Sequence, residues 1–289
     1  MGEPTDKDFA AGNNSSNGTD AGRVMTNEER DVAQAAARFG YGPLAQVQTS
    51  DNRLPAFGGE FQPGLYRPVE HRKFANPAPL GLSAFALTTF VLSLINMSAR
   101  GVSTPNIVAA SAYGYGGLVQ LLAGMWELAV GNTFGATALS SYGGFWLSYA
   151  IIYTPGGFQI MEEMKTKNGE AALQNAVGFW LFGWFIFTTI LLLCTLKSTV
   201  AFFLLFLTLD LAFLMLAIAH MQLSPKFKPN TTLMEAGGGF GILAAFLAWY
   251  NALAGIADTS NSFFIIPVAH FPWSAKGREA RKKTERETV

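Results

Sequence analysis

The sequence predicts an all-α membrane protein with six transmembrane helices. Half of the 289 residues are hydrophobic and only 14% are charged. The mean hydropathy is +0.24, too apolar for a soluble domain of this size. The apolar residues are bunched into six windows, roughly 79 to 98, 106 to 126, 134 to 153, 176 to 196, 198 to 219 and 236 to 257. A hydrocarbon core about 30 Å thick needs about 20 apolar helical residues, and each window supplies that length with at most one acidic side chain. A buried helix of a soluble protein keeps a polar stripe, whereas "AVGFWLFGWFIFTTILLLCTL" at 176 to 196 has no charge on any face.

Residues 1 to 73 come first in the chain. They are polar and turn-rich, with "GNNSSNGTD" and "FGGEFQPGLYRP", and read as a largely disordered cytosolic tail. Within them Thr26 and Glu29 have capping-box spacing ahead of "RDVAQAAARF", which predicts a helix of a few turns. The first twenty residues lack the apolar core of a cleavable signal peptide, so the first hydrophobic span is expected to direct insertion. Residues 74 to 258 form the expected six-helix domain, and 259 to 289 a second cytosolic tail whose "AKGREARKKTERETV" is solvated and close to anionic lipid headgroups.

Six spans put both ends of the chain on one side of the membrane. That side carries Arg67, Arg72, Lys73, Lys197, Lys276, Arg278, Arg281, Lys282 and Lys283, against Arg100, Lys165, Lys167, Lys226 and Lys228 opposite. The positive-inside rule then places both termini of this multi-pass protein in the cytosol, and the plasma membrane is the expected location. The sequons at Asn13, Asn14 and Asn17 stay unglycosylated in that topology, and Asn230 lies too close to the membrane for modification.

The first span opens on "NPAPLGL" at 76 to 82. In a water channel two Asn-Pro-Ala turns meet at mid-membrane; this chain has one, ahead of any helix from which it could re-enter. Its local chemistry is that of a helix start: Asn76 caps, and Pro77 fits the first turn, where a missing N–H costs nothing. Further along, Phe85, Thr88, Thr89, Leu92 and Asn96 fall on one helical face. In the second span Tyr113, Gly117, Gln120, Gly124 and Glu127 do the same. An acid facing lipid at mid-helix costs about 2.5 to 3.5 kcal/mol, so both faces are expected to look inward, toward partner helices or a water-filled solute path. "YGYGG" and "GGGFG" allow close helix packing, but packing accounts less easily for Gln120 and Glu127 on one stripe.

The remaining elements exclude more than they specify. Twenty acidic and twenty basic residues give zero net charge, and nothing suggests nucleic acid. The single Cys194 sits in an apolar span and cannot form an intrachain disulfide. No metal-spaced His/Cys cluster, nucleophile elbow or phosphate loop is present, so neither an enzyme, a metal nor a cofactor is expected.

Three motifs carry a family resemblance: "NPAPLGL", "GNTFGATALSSYGGFW" at 131 to 146, and "TLK" at 195 to 197. With them, residues 74 to 257 resemble the acetate uptake transporter family, which includes bacterial acetate/succinate permeases and fungal acetate and ammonia-export proteins. The resemblance implies six helices around a central pore in each protomer, a homo-hexamer, and uptake of acetate and related small carboxylates, with proton symport proposed. It also implies an apolar constriction of Phe85, Tyr142 and Leu209, the last placed by counting from Lys197. The chemistry agrees: an apolar ring passes a methyl group while donors such as Asn76, Thr88, Thr89, Tyr142 and Gln120 replace water around a carboxylate. Glu127, on the expected substrate pathway, is expected either to share or relay a proton or to form an ion pair or a cap to the following loop. Asp210 either faces the pore, where it opposes an anion, or hydrogen-bonds a neighbouring helix. His220 and Asp258 are expected at interfaces near helix ends. The alternatives are an ammonium or ammonia export channel, for which the spans lack a mid-membrane histidine, and a non-transporting membrane sensor.

Overall fold

The computed structural model describes residues 74–279 and 281. The expected tail over 1 to 73, the helix after Thr26, the sequons at Asn13, Asn14 and Asn17, and the last basic residues of the chain lie outside the described residues. The described chain is helical, with two isolated antiparallel bridges and no longer strand.

Seven helices are named here. They are α1 (Ala78–Asn96), α2 (Asn106–Ala129), α3 (Thr133–Tyr153), α4 (Ile160–Asn168), α5 (Glu170–Cys194), α6 (Val200–Met221) and α7 (Thr231–Ile256). Five of them, α1, α2, α5, α6 and α7, are long and apolar enough to cross a membrane. The window expected at 134 to 153 is α3, a 21-residue helix. It has no charged side chain, but its glycines, serines and tyrosines lower its hydropathy below that of the other five. α4 is polar, with Glu162 and Glu163 in its first turn and Lys165 and Lys167 in its last, an order that complements the helix dipole.

Short polar side chains start several helices. The Asn76 carboxamide oxygen accepts from the Ala78 N–H at 3.1 Å just ahead of α1, but Pro77 occupies the cap position, so Asn76 stands one residue outside the cap expected of it. Asn132 Oδ1 accepts from the Gly135 N–H at 3.0 Å, Thr199 Oγ1 from Phe202 at 3.2 Å and Asn230 Oδ1 from Leu233 at 3.2 Å. α1 stops where Ser98 and Arg100 take left-handed backbone angles, with Gly101 at φ +78° closing the turn.

Six of these helices form a ring. α7 lies between α1 and α6, α6 packs on α5, and α1 packs on α2, which packs on α3. The ring closes between α3 and α5 through large side chains: Phe145 stacks on Trp180 with centroids 4.9 Å apart, and Tyr142 lies 6.2 Å from Trp184. Elsewhere the contacts are tight. A Cβ on Gly238 of α7 would stand 2.8 Å from the Ser93 carbonyl oxygen of α1, and one on Gly143 of α3 would stand 2.7 Å from the Leu121 nitrogen of α2. Only glycine permits that approach. Phe179, Ile186, Ile190, Leu193, Leu243 and Phe246 point outward and exposed, as a lipid-facing surface requires.

α2 holds a departure from the expected pattern. Its residues Gly114–Val119 form a π-turn, and the wider turn breaks the 3.6-residue register on which the Tyr113 to Glu127 stripe was drawn. Gly117, Gln120, Gly124 and Glu127 are buried, while Tyr113 lies exposed, its hydroxyl accepting from Thr154 at 3.3 Å.

The segment after α7 returns to α6. The Val200 N–H donates to the Ala269 carbonyl at 2.9 Å, Thr199 and His270 form a bridge, and Trp273 Nε1–H donates to the Leu196 carbonyl at 2.7 Å. Phe271 stacks on Trp273 and meets Phe203 edge-on. Part of the 259 to 289 stretch expected as a tail is thereby tied to the start of α6.

Candidate functional site

Two partly open, apolar chambers lie among the ring helices. The first, of about 200 Å³, is lined by Phe85, Thr89, Leu92, Asn96, Trp146, Leu209 and His220 among others. The second, of about 220 Å³, is lined by residues including Ala78, Phe85, Gln120, Asn132, Tyr142, Phe202 and Leu209. Each is far larger than the ~30 Å³ of a water molecule. A cleft of about 670 Å³ follows at the face where α1 begins, lined by Asn76, Lys197, Ser198, Phe202, Asn251, His270 and Lys276 among others.

Phe85 and Leu209 line both chambers, and Tyr142 lines the second. All three are buried. The Phe85 and Tyr142 rings stand 5.9 Å apart, and Tyr142 is flanked by Phe206 at 6.4 Å and Phe213 at 6.5 Å. The Tyr142 hydroxyl is not free: it shares a 3.0 Å hydrogen bond with Thr188 of α5, which fixes the ring across the axis. The three residues expected at a constriction therefore meet in space from α1, α3 and α6.

The expected donors divide into two groups. Thr89 lines the first chamber, Gln120 the second, and Asn76 the cleft. Thr89 Oγ1 and both amide atoms of Gln120 are buried without a protein partner, a costly arrangement unless a ligand or water supplies one. Thr88 and Glu127 are not among the lining residues of these three cavities. Thr88 returns its hydroxyl proton to the Ala84 carbonyl at 2.9 Å and packs on Gly116. Glu127 accepts from Asn132 Nδ2 at 2.6 Å, while its Oε1 is buried and unpartnered. This is the contact to the following loop, one of its two expected roles.

The other acids also find partners. Thr189 Oγ1 of α5 donates to Asp210 Oδ1 at 2.9 Å, so Asp210 bonds a neighbouring helix and lines none of the three cavities. Asp258 lies after α7, where its Oδ1 accepts from the Ser260 hydroxyl and from the Ser260 and Asn261 N–H groups. These bonds, led by the Ser260 hydroxyl, hold its carboxyl below the usual aspartate range. His220 lines the first chamber and shares a 2.8 Å hydrogen bond with Gln174.

Trp146 escaped the sequence reading. It is buried, lines the first chamber, and its indole N–H has no partner. An aromatic residue in "GGFW" reads as core; only the unsatisfied donor beside a cavity separates it from its neighbours. Together the chambers offer an apolar waist and buried donors on each side of it, which suits a small amphipathic anion.

Comparison with known proteins gives consistent matches. The model of the GPR1/FUN34/yaaH family matches residues 57–273. The chain is 71% identical over 254 residues to acetate permease A of Emericella nidulans, covering 88% of this chain and 85% of that protein. It is 53% identical over 216 residues to ammonia transport outward protein 2 of Saccharomyces cerevisiae, covering 75% and 73%. A solved structure of the bacterial acetate channel SatP superposes with a TM-score of 0.56 at 30% identity, covering 68% of this chain and all of that one.

Proposed function

Because the chain belongs to the GPR1/FUN34/yaaH family, we propose that it is a membrane transporter or channel, and not a catalyst, which carries acetate and other short monocarboxylates. One observation carries the reading: two apolar chambers joined at Phe85 and Leu209, with unpartnered polar atoms of Thr89, Trp146 and Gln120 beside them. A methyl group crosses the apolar waist, while the carboxylate exchanges water for those donors. The names of the relative at 71% identity and of the solved channel agree with that substrate.

In this proposal Phe85, Tyr142 and Leu209 set the size limit, and Thr89, Gln120 and Asn76 line the route with Trp146 as a further donor. Thr88 and Glu127 hold the helices behind its wall. Residues 74 to 258 are the transport domain, assembled as a homo-hexamer in the plasma membrane with both termini cytosolic, and protons accompany the acid. Uptake of labelled acetate into proteoliposomes tests the function, and a non-transporting sensor gives none. Uptake and current measured together at several pH values separate electroneutral symport from an anion leak. Leu209→Ala widens the waist and is expected to raise lactate uptake relative to acetate; an unchanged ratio removes Leu209 from the constriction.

Ammonia passage is the second reading, supported by the yeast relative's name. The single histidine lining either chamber, His220, is engaged with Gln174. An ammonia gradient imposed on the same liposomes dissipates faster than in protein-free liposomes only under this second reading.

A further inference from the structure

The residues that line two cavities at once mark the walls between them. By that criterion Phe85 and Leu209 divide the first chamber from the second. The second chamber and the open cleft share one residue among those described, Phe202. Phe202 is not alone in the wall: its ring lies 5.6 Å from Phe134 and 5.2 Å from Phe206, and those two lie 5.4 Å from each other. All three line the second chamber, and each pair meets edge to face. Such a cluster resists hydration and bars polar solutes without any charge.

We infer that Phe202, backed by Phe134 and Phe206, is a second apolar gate between the second chamber and the cleft at the face where α1 begins. The inference rests on reading the chambers as a transport route. It places the second chamber between two apolar waists, with the unpartnered Gln120 amide lining it.

The position of the gate is set by the returning segment. Phe202 is in the first turn of α6, and its N–H is capped by Thr199 Oγ1 at 3.2 Å. Thr199 pairs with His270, and Val200 donates to Ala269. The α6 start is thus clamped at three positions of its first turn and cap, Thr199, Val200 and Phe202, which holds the ring in place against fraying of the helix end.

Cysteine accessibility tests the gate. In full-length protein with Cys194→Ser, held in nanodiscs, Ala138→Cys reports on the second chamber and Ser198→Cys on the cleft. The probe is a charged methanethiosulfonate reagent. With Phe202 intact the cysteine at 138 is expected to be protected, and with Phe202→Ala its labelling rate is expected to rise about tenfold, as loss of a ~1.4 kcal/mol barrier gives. The cysteine at 198 reacts at the same rate in both. Phe202→Val replaces Phe202→Ala should the latter fail to elute as folded protein. Fast labelling at 138 with Phe202 intact overturns the gate, and so does protection that persists in the Phe202 variants. Labelling does not require transport: absent acetate uptake by the parent protein overturns the function proposed above and leaves the labelling result to judge the gate.

Discussion

Gln120 and Asp210 are both buried polar side chains in apolar helices, yet they are satisfied in opposite ways. Asp210 accepts from Thr189, whereas neither amide atom of Gln120 meets a protein partner. Leaving an amide unpaired costs roughly 1 to 3 kcal/mol, so Gln120→Leu is expected to raise thermal stability by about 1 kcal/mol and to lower acetate uptake. Differential scanning fluorimetry and liposome uptake on the same preparation check both halves; a structural role predicts lower stability instead. Thr189→Val should do the reverse, costing ~1–3 kcal/mol by stranding the Asp210 carboxyl without changing the acetate-to-lactate ratio. At this scale the sequence reveals which residues are polar and where they fall on a helix. It does not reveal whose hydrogen bonds are complete, and this separates Thr89 from Thr88 one residue away.

At the scale of elements, glycine placement sorts by what each Cβ would meet. Gly238 faces the Ser93 carbonyl of α1, while Gly144 faces open space. Gly238→Ala is expected to destabilise the α1–α7 seam by ~1–3 kcal/mol, and Gly144→Ala to be neutral or slightly stabilising, as read by thermal melts in detergent. The windows read from hydropathy fall on the observed helices because a membrane-crossing helix must satisfy its own backbone bonds and be apolar along its length. Two features were less legible. The π-turn at Gly114–Val119 shifts the face of α2, and nothing in a 3.6-residue pattern announces an extra residue in a turn. α3 is rich in glycine, serine and tyrosine, so the helix that supplies Tyr142 and Trp146 has weaker hydropathy than its neighbours. The returning segment over 267–274 was hidden by its composition, which reads as a tail until Phe271 and Trp273 are seen against α6.

At the scale of the whole described chain, the helices of one protomer form a ring, and Phe85, Tyr142 and Leu209 come together from its α1, α3 and α6. The exposed apolar residues Phe179, Ile186 and Leu243 line neither chamber and are available to lipid or to other copies. Under the proposed reading each protomer holds its own passage, and an oligomer built on that outer surface multiplies passages without creating a shared one. This has a consequence for mixed assemblies. When wild-type and Leu209→Ala chains are co-expressed with different tags and purified together, lactate uptake per chain should rise linearly with the fraction of Leu209→Ala chains. A passage formed between subunits would instead respond steeply, since one narrow wild-type residue would block a route shared with its neighbours. Linear dependence assigns size selection to the single chain, and a threshold would move the passage to the centre of the assembly.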